Sequence, residues 1–200
     1  PESTRFAFRV GGATFLGAEL VPKQVALLHE LVPTAHMVGL LVNPTNQANT
    51  TISTRETEAG VGALGLQLLV VQASNEPELD LAFATFAERR AKALIISPDA
   101  FFTNQSNQLA ARTLRSALPA IYQNRGFAVA GGLAAYGADI ASSFQLIGGY
   151  CARILRGQKV ADLPVQQSTK VEFVVNLKTA KAMNIVVPLP MLARADEVIE

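Results

Sequence analysis

Asn43, Asn46, Asp99, Tyr122, Arg125 and Tyr136 are the residues whose types and placement suit ligand chemistry, because each stands at or just past the end of an apolar run. Asn43 and Asn46, in LLVNPTN, carry amides that suit a ligand carboxylate or amide, or else the turn at Pro44 and the cap of the next helix. Asp99, after Ser97-Pro98, offers a carboxylate for a ligand ammonium or, alternatively, an N-cap for the helix carrying Phe101 and Phe102. Tyr122 and Arg125 flank Gln123 and offer an aromatic face and a guanidinium clamp; their plainer readings are a core tyrosine and a surface tie. Tyr136-Gly137 follows Gly131-Gly132, where small residues permit close backbone approach and hinge torsions. Tyr136 is therefore read as a cleft residue or as one packed at a crossing of the chain.

This set binds; it does not break bonds. No serine elbow, cysteine–histidine pair or paired carboxylates stand at the strand ends, so no enzyme is expected. His29 and His36 have no Cys, Asp or Glu at ligand spacing, and no metal is expected. Gly11-Gly12 lacks both phosphate-loop and dinucleotide spacing and reads as a bend, so no cofactor is expected either. The single Cys151 falls in an apolar helical repeat and reads as a buried structural thiol.

The elements that must position these residues follow from the apolar pattern. MVGLLV (37–42), LQLLVV (66–71), ALIIS (93–97) and PAIY (119–122) recur at nearly regular intervals and are close to continuously apolar, as in strands covered on both faces. The intervals carry helices. Val21–Leu31 leads, 45–64 and 104–118 follow more loosely, and 75–90 places Leu79, Phe83 and Phe86 on one face. From 139 to 156, Ile140, Phe144, Ile147, Cys151 and Ile154 step by four and three before Gly157 stops the helix. Alternating strand and helix implies a three-layer α/β/α, Rossmann-like parallel sheet, whose ligands bind at the carboxyl ends of the strands. After Gly157, Val171–Val175 reads as a strand in another sheet position, 177–183 as a short helix and 191–199 as a last helix.

Half of the 200 residues are hydrophobic, which is enough for a sizeable core. No apolar run reaches the roughly 18–20 residues of a membrane helix. Seventeen Lys and Arg against sixteen Asp and Glu, without a basic stripe, argue against a nucleic-acid partner.

The blocks ELVPKQVALLHELVP, VGLLVNPTN, SPDAFF, LPAIYQNRGFAVAGGLAAYG and VEFVVNLKTAKAMNIVVP, closing in LARADEVIE, resemble the substrate-binding proteins of bacterial ABC transporters. The similarity is to the tryptophan/tyrosine-type group and covers essentially the whole chain. It implies the type I periplasmic binding protein fold, two α/β lobes joined by hinge strands, with the ligand in the cleft between them. On that mapping residues 1–36 hold the first crossing, around Phe8–Phe15, and a leading helix; 37–137 form the C-terminal lobe; 138–200 return to the N-terminal lobe, the hinge and the tail. Most of the N-terminal lobe is then expected to be missing. The resemblance further implies an amino acid or similar small ligand, a membrane permease as partner, and a place in the periplasm or on the extracellular face of the membrane. A ligand-sensing domain of a transcriptional regulator, which reuses this fold, is the alternative.

Overall fold

The computed structural model describes residues 13–15, 20–159, 162–163, 166–168 and 170–200. The proposed bend at Gly11-Gly12 and the Phe8–Gly12 part of the first crossing lie outside the described residues. The chain runs β1 (Ala13–Phe15), α1 (Val21–Leu31), β2 (Met37–Val42), α2 (Gln47–Ala63), β3 (Gln67–Gln72), α3 (Glu76–Glu88) and β4 (Ala93–Ile96). It continues through α4 (Ala100–Asn104), α5 (Ser106–Arg115), β5 (Ala120–Tyr122), α6 (Arg125–Val129), β6 (Ala134–Ala138) and α7 (Ile140–Leu155). It ends with β7 (Gln166–Ser168), β8 (Val171–Asn176), α8 (Leu177–Ala182), α9 (Leu189–Leu192) and β9 (Glu197–Ile199).

One seven-stranded sheet has the order β3-β2-β4-β5-β6-β8-β9. The first five strands are parallel; β8 pairs antiparallel with β6, and β9 runs parallel to β8. The continuous apolar runs have a direct cause. Along β2, Val38, Leu40 and Val42 pack against Val21, Val25 and Leu28 of α1, whereas Leu41 faces the cluster of Leu79, Phe83 and Phe86 of α3. Successive side chains on a strand point to opposite faces, so covering both faces demands an apolar residue at every position. Gly39 fits the same rule: a Cβ there would lie 2.7 Å from the Phe86 ring. β3 departs from the expectation. It is the edge strand, and Val70 is 36% exposed.

Three further differences have physical reasons. Residues 104–118 do not form one helix, because α4 is capped by Asp99, ends at Asn104, and α5 restarts at Ser106. Residues 191–199 are not a helix either: Glu197, Val198 and Ile199 pair with Val174, Val175 and Asn176, where β-branched residues suit a strand. β6 escaped the strand pattern because AAYGA is mostly small.

The segment after residue 138 contributes to the main sheet. β8, α8, α9 and β9 are hydrogen-bonded and packed into the main sheet, with Phe173, Val175, Ala180 and Met191 in the same core as α1. Among the described residues, α7 and the separate parallel pair β1–β7 stand apart from the main sheet, and α7 contacts both strands of that pair. The apolar repeat of α7 is not covered as expected. Phe144 is 65% exposed and Cys151 is exposed, so the buried-thiol reading is corrected.

Candidate ligand cleft

The carboxyl ends of β2, β4, β5 and β6 lie along one edge of the sheet, and the polar residues that follow them form two groups. In the first, Asn43 donates from Nδ2 to Asp99 Oδ1 at 2.9 Å and Asn46 donates from Nδ2 to Asp99 Oδ2 at 3.2 Å. The Phe101 backbone N–H donates to Asp99 Oδ1 at 2.9 Å, while Asn43 Oδ1 accepts from the backbone N–H and hydroxyl of Thr45 at 3.0 and 2.8 Å. Asn49 Nδ2 reaches the Pro98 carbonyl. Asn46 also accepts from the Asn49 N–H as the N-cap of α2, and Asp99 is the N-cap of α4. Asn46 and Asp99 thus act as helix caps, and the contacts among the three residues also tie the ends of β2 and β4 together.

The second group surrounds a cleft of about 790 Å³ at the ends of β5 and β6. Its walls include Gln24 of α1, Pro98, Gln123, Arg125, Asp139 and Glu172. Gly137 makes the cleft possible by steric means. A Cβ on it would lie 1.4 Å from the Gln123 carbonyl oxygen, so only glycine lets β6 approach the end of β5 this closely. Gln24 is 2% exposed and donates from Nε2 to the Tyr136 carbonyl at 2.7 Å, with the Tyr122 carbonyl at 3.5 Å. Two carbonyl acceptors fix the orientation of its amide, and its Oε1 is buried without a hydrogen-bond partner among the described residues.

The charges of the cleft are paired in chains. Arg125 donates from Nη2 to Glu197 Oε1 at 2.8 Å and from Nε to Glu197 Oε2, and its Nε lies 4.0 Å from Glu172 Oε1. The Arg125 hydrogen bonds hold the Glu197 carboxyl below its ordinary range. Asp139 accepts from Lys170 Nζ at 2.7 Å and from the Ser142 hydroxyl and N–H at 2.6 and 3.0 Å, capping α7. Lys170 and then Ser142 hold its carboxyl well below the usual carboxylate range. Glu172 goes the other way. Burial first, and then the charge of Asp139, pushes its carboxyl up, only partly offset by Arg125.

Of the six candidates, Asn43, Asn46 and Asp99 come together in one network and Arg125 lines the cleft. Tyr122 does not face it. Its side chain is fully buried in the core, its ring stacks on Phe127 at 4.5 Å, and its hydroxyl meets Thr113 Oγ1 at 3.1 Å; burial pushes that phenol well above its ordinary value. The cleft reading of the Tyr122 side chain is corrected to the core reading, because the last position of β5 points into the layer of α3 to α6. Tyr136 is half-buried and lies edge-on to Phe173 at 6.2 Å, in a separate hollow of about 220 Å³ with Lys23, Arg194 and Asp196. Alternation along β6 puts its ring on the face opposite Gly137; its carbonyl, through Gln24, is its link to the cleft. Gln24, Asp139 and Glu172 were missed. Gln24 reads as one polar residue in a helix, and Glu172 joins the edge only because β8 runs antiparallel; a polar residue on the buried face of α1 was the available signal.

The described residues contain no helix long and apolar enough to cross a membrane and no cluster of His, Cys, Asp or Glu that could hold a metal. No curated protein sequence matches the chain. Among solved structures, a conserved domain protein from Vibrio cholerae O1 biovar El Tor is 22% identical, with a TM-score of 0.82 over 94% of this chain and 62% of that one. The ABC domain in complex with L-Trp from Streptococcus pneumonia is 22% identical, with a TM-score of 0.79 over 90% of this chain and 60% of that one. The ligand-free, open form of a substrate-binding protein with adhesive properties from Clostridium difficile is 20% identical, with a TM-score of 0.68 over 95% of this chain and 62% of that one. These likenesses establish the fold, and this chain spans about three-fifths of the length of each. The model of the ABC transporter substrate binding protein family matches residues 9–199, and the chain belongs to that family.

Proposed function

We propose that this chain supplies one wall of the ligand cleft in the solute receptor of a bacterial ABC importer. The receptor binds an amino acid, aromatic ones included, or a similar small solute and performs no chemistry on it. It hands the solute to a membrane permease from the periplasm or the extracellular face of the membrane. The observation that carries this reading is the cleft at the carboxyl ends of β5 and β6, a mainly apolar hollow with a few polar side chains in its wall, in a chain of the substrate-binding family. Polar strand ends around such a hollow fit a ligand of a few hydrogen-bonding atoms and one apolar body. In the same reading α7 with β1 and β7 belongs to a second lobe, which explains its uncovered apolar stripe, and the Asn43–Asp99 network braces the rim. The L-Trp held by the Streptococcus relative makes aromatic amino acids the first ligands to test.

The test is thermal unfolding of the full-length natural protein across the twenty amino acids. A ligand at a hundredfold excess over its Kd stabilises by about 2.7 kcal/mol, which reads as a rise of several degrees in Tm. A flat response across the whole set refutes the amino-acid reading.

A further inference from the structure

The cation of the cleft is already engaged, and its carboxylates outnumber its cations. Glu197 takes the Nε–Nη2 edge of the Arg125 guanidinium, which pairs the charge of Arg125 before any ligand arrives. Among the described residues, the ion pairs at this wall set three carboxylates, Asp139, Glu172 and Glu197, against two cations, Arg125 and Lys170. Among the described residues Glu172 accepts no hydrogen bond, and Arg125 at 4.0 Å is its ion-pair partner, shared with Glu197. It projects beside the one position of β6 that has no side chain, since its register partner is Gly137. A second feature is independent of the charges. Gln24, 2% exposed and part of the same wall, carries a buried acceptor without a donor. Among the described residues, the unmet needs of this wall are for donors and positive charge.

We infer that this wall recognises the ammonium group of the ligand through Glu172, with the Gln24 amide as a further acceptor, and not a ligand carboxylate through Arg125. The inference rests on the receptor reading above and adds which end of the solute this lobe holds. A ligand ammonium against Glu172 restores the charge balance that Asp139, Glu197 and Asp196 disturb around that side chain. Binding therefore requires Glu172 ionised. Its carboxyl is raised by burial and by Asp139, against the opposing pull of Arg125, so affinity for an ammonium ligand falls as pH drops through the range where Glu172 takes up its proton.

The experiment is calorimetric titration of the full-length natural protein with the amino acids, their decarboxylated amines and their deaminated acids; for tryptophan these are tryptamine and indole-3-propionate. The expected result is that the amine keeps measurable affinity while the deaminated acid loses at least about thirtyfold relative to the parent amino acid. Glu172→Gln loses a similar factor for the amino acid, and its remaining affinity no longer declines in acid. Glu197→Gln, which releases Arg125, improves binding of the deaminated acid relative to the parent protein and keeps the variant set informative if Glu172→Gln fails to fold. If deaminated acids bind as tightly as amino acids, or Glu172→Gln leaves affinity unchanged, the ammonium assignment is overturned while the receptor reading stands. If none of the panel binds, the amino-acid reading itself falls and the assignment with it.

Discussion

Replacing Gly137 by alanine adds a single methyl, and the structure fixes where it goes: 1.4 Å from the Gln123 carbonyl oxygen and 2.5 Å from its carbon. A carbon–oxygen contact normally settles at about 3.3 Å or more, so β6 and the end of β5 must separate by about 2 Å. Both obstructing atoms are backbone, so no rotamer change relieves the clash. Strands pair at about 4.8 Å, and a shift of that size disrupts the ladder that joins Ile121 to Ala134 and Tyr122 to Ala135. Overpacking of this kind costs about 1–3 kcal/mol or somewhat more, and each ladder hydrogen bond lost adds about 1 kcal/mol. The expected loss is about 3–5 kcal/mol, which at about 2–4 °C per kcal/mol lowers Tm by about 10 °C. Circular dichroism melts at matched concentration measure it. Gly148→Ala is the control: it lies inside α7 with no atom of the described residues within 4 Å of the added methyl, and it gains up to about 1 kcal/mol from helix propensity. A Gly137→Ala protein that melts within about 2 °C of the parent refutes the close-approach argument.

Asp99→Ala removes the cap of α4 and leaves the buried Asn43 Nδ2 without its acceptor; chemical denaturation is expected to show a loss of about 2 kcal/mol, and no loss rules out the bracing role. Tyr122→Phe deletes the hydroxyl beside Thr113 and costs about 1 kcal/mol with ligand affinity unchanged, so an affinity loss without destabilisation would return Tyr122 to the cleft. Asp139 has a depressed carboxyl in the folded state, so the unfolded chain takes up the proton first as pH falls. That contribution is present above the ordinary carboxylate range, about pH 4, and is lost below it; Lys170→Met is expected to flatten the acid limb of a Tm-against-pH curve. Glu172 has the opposite sign: its carboxyl is raised, so its ionised form opposes folding at neutral pH. Glu172→Gln is expected to raise the Tm of the unliganded protein at neutral pH, with the gain vanishing as pH falls toward about 4.

The layered α/β class, the positions of β2, β4 and β5, and the helices over 21–31 and 76–88 were all fixed by local pattern. Apolar residues at every position of MVGLLV, and at helical spacing in Leu79, Phe83 and Phe86, leave few other ways to be buried. The same pattern brought Asn43, Asn46 and Asp99 to one edge, since parallel strands of similar length must end on the same side. What a side chain does after the strand ends is another matter. Tyr122 and Arg125 lie three residues apart, yet one is sealed in the core and the other is clamped by Glu197, a partner seventy-two positions away. Strand AAYGA carries no hydrophobic signature of its own, and its place depends on Gly137 fitting against Gln123. The antiparallel return of β8 and the docking of β9 decide that Glu172 and Glu197 reach the cleft at all. Periodicity records which face of an element is buried; the charge of the cleft is a sum over strands distant in sequence, and only their pairing brings it into being.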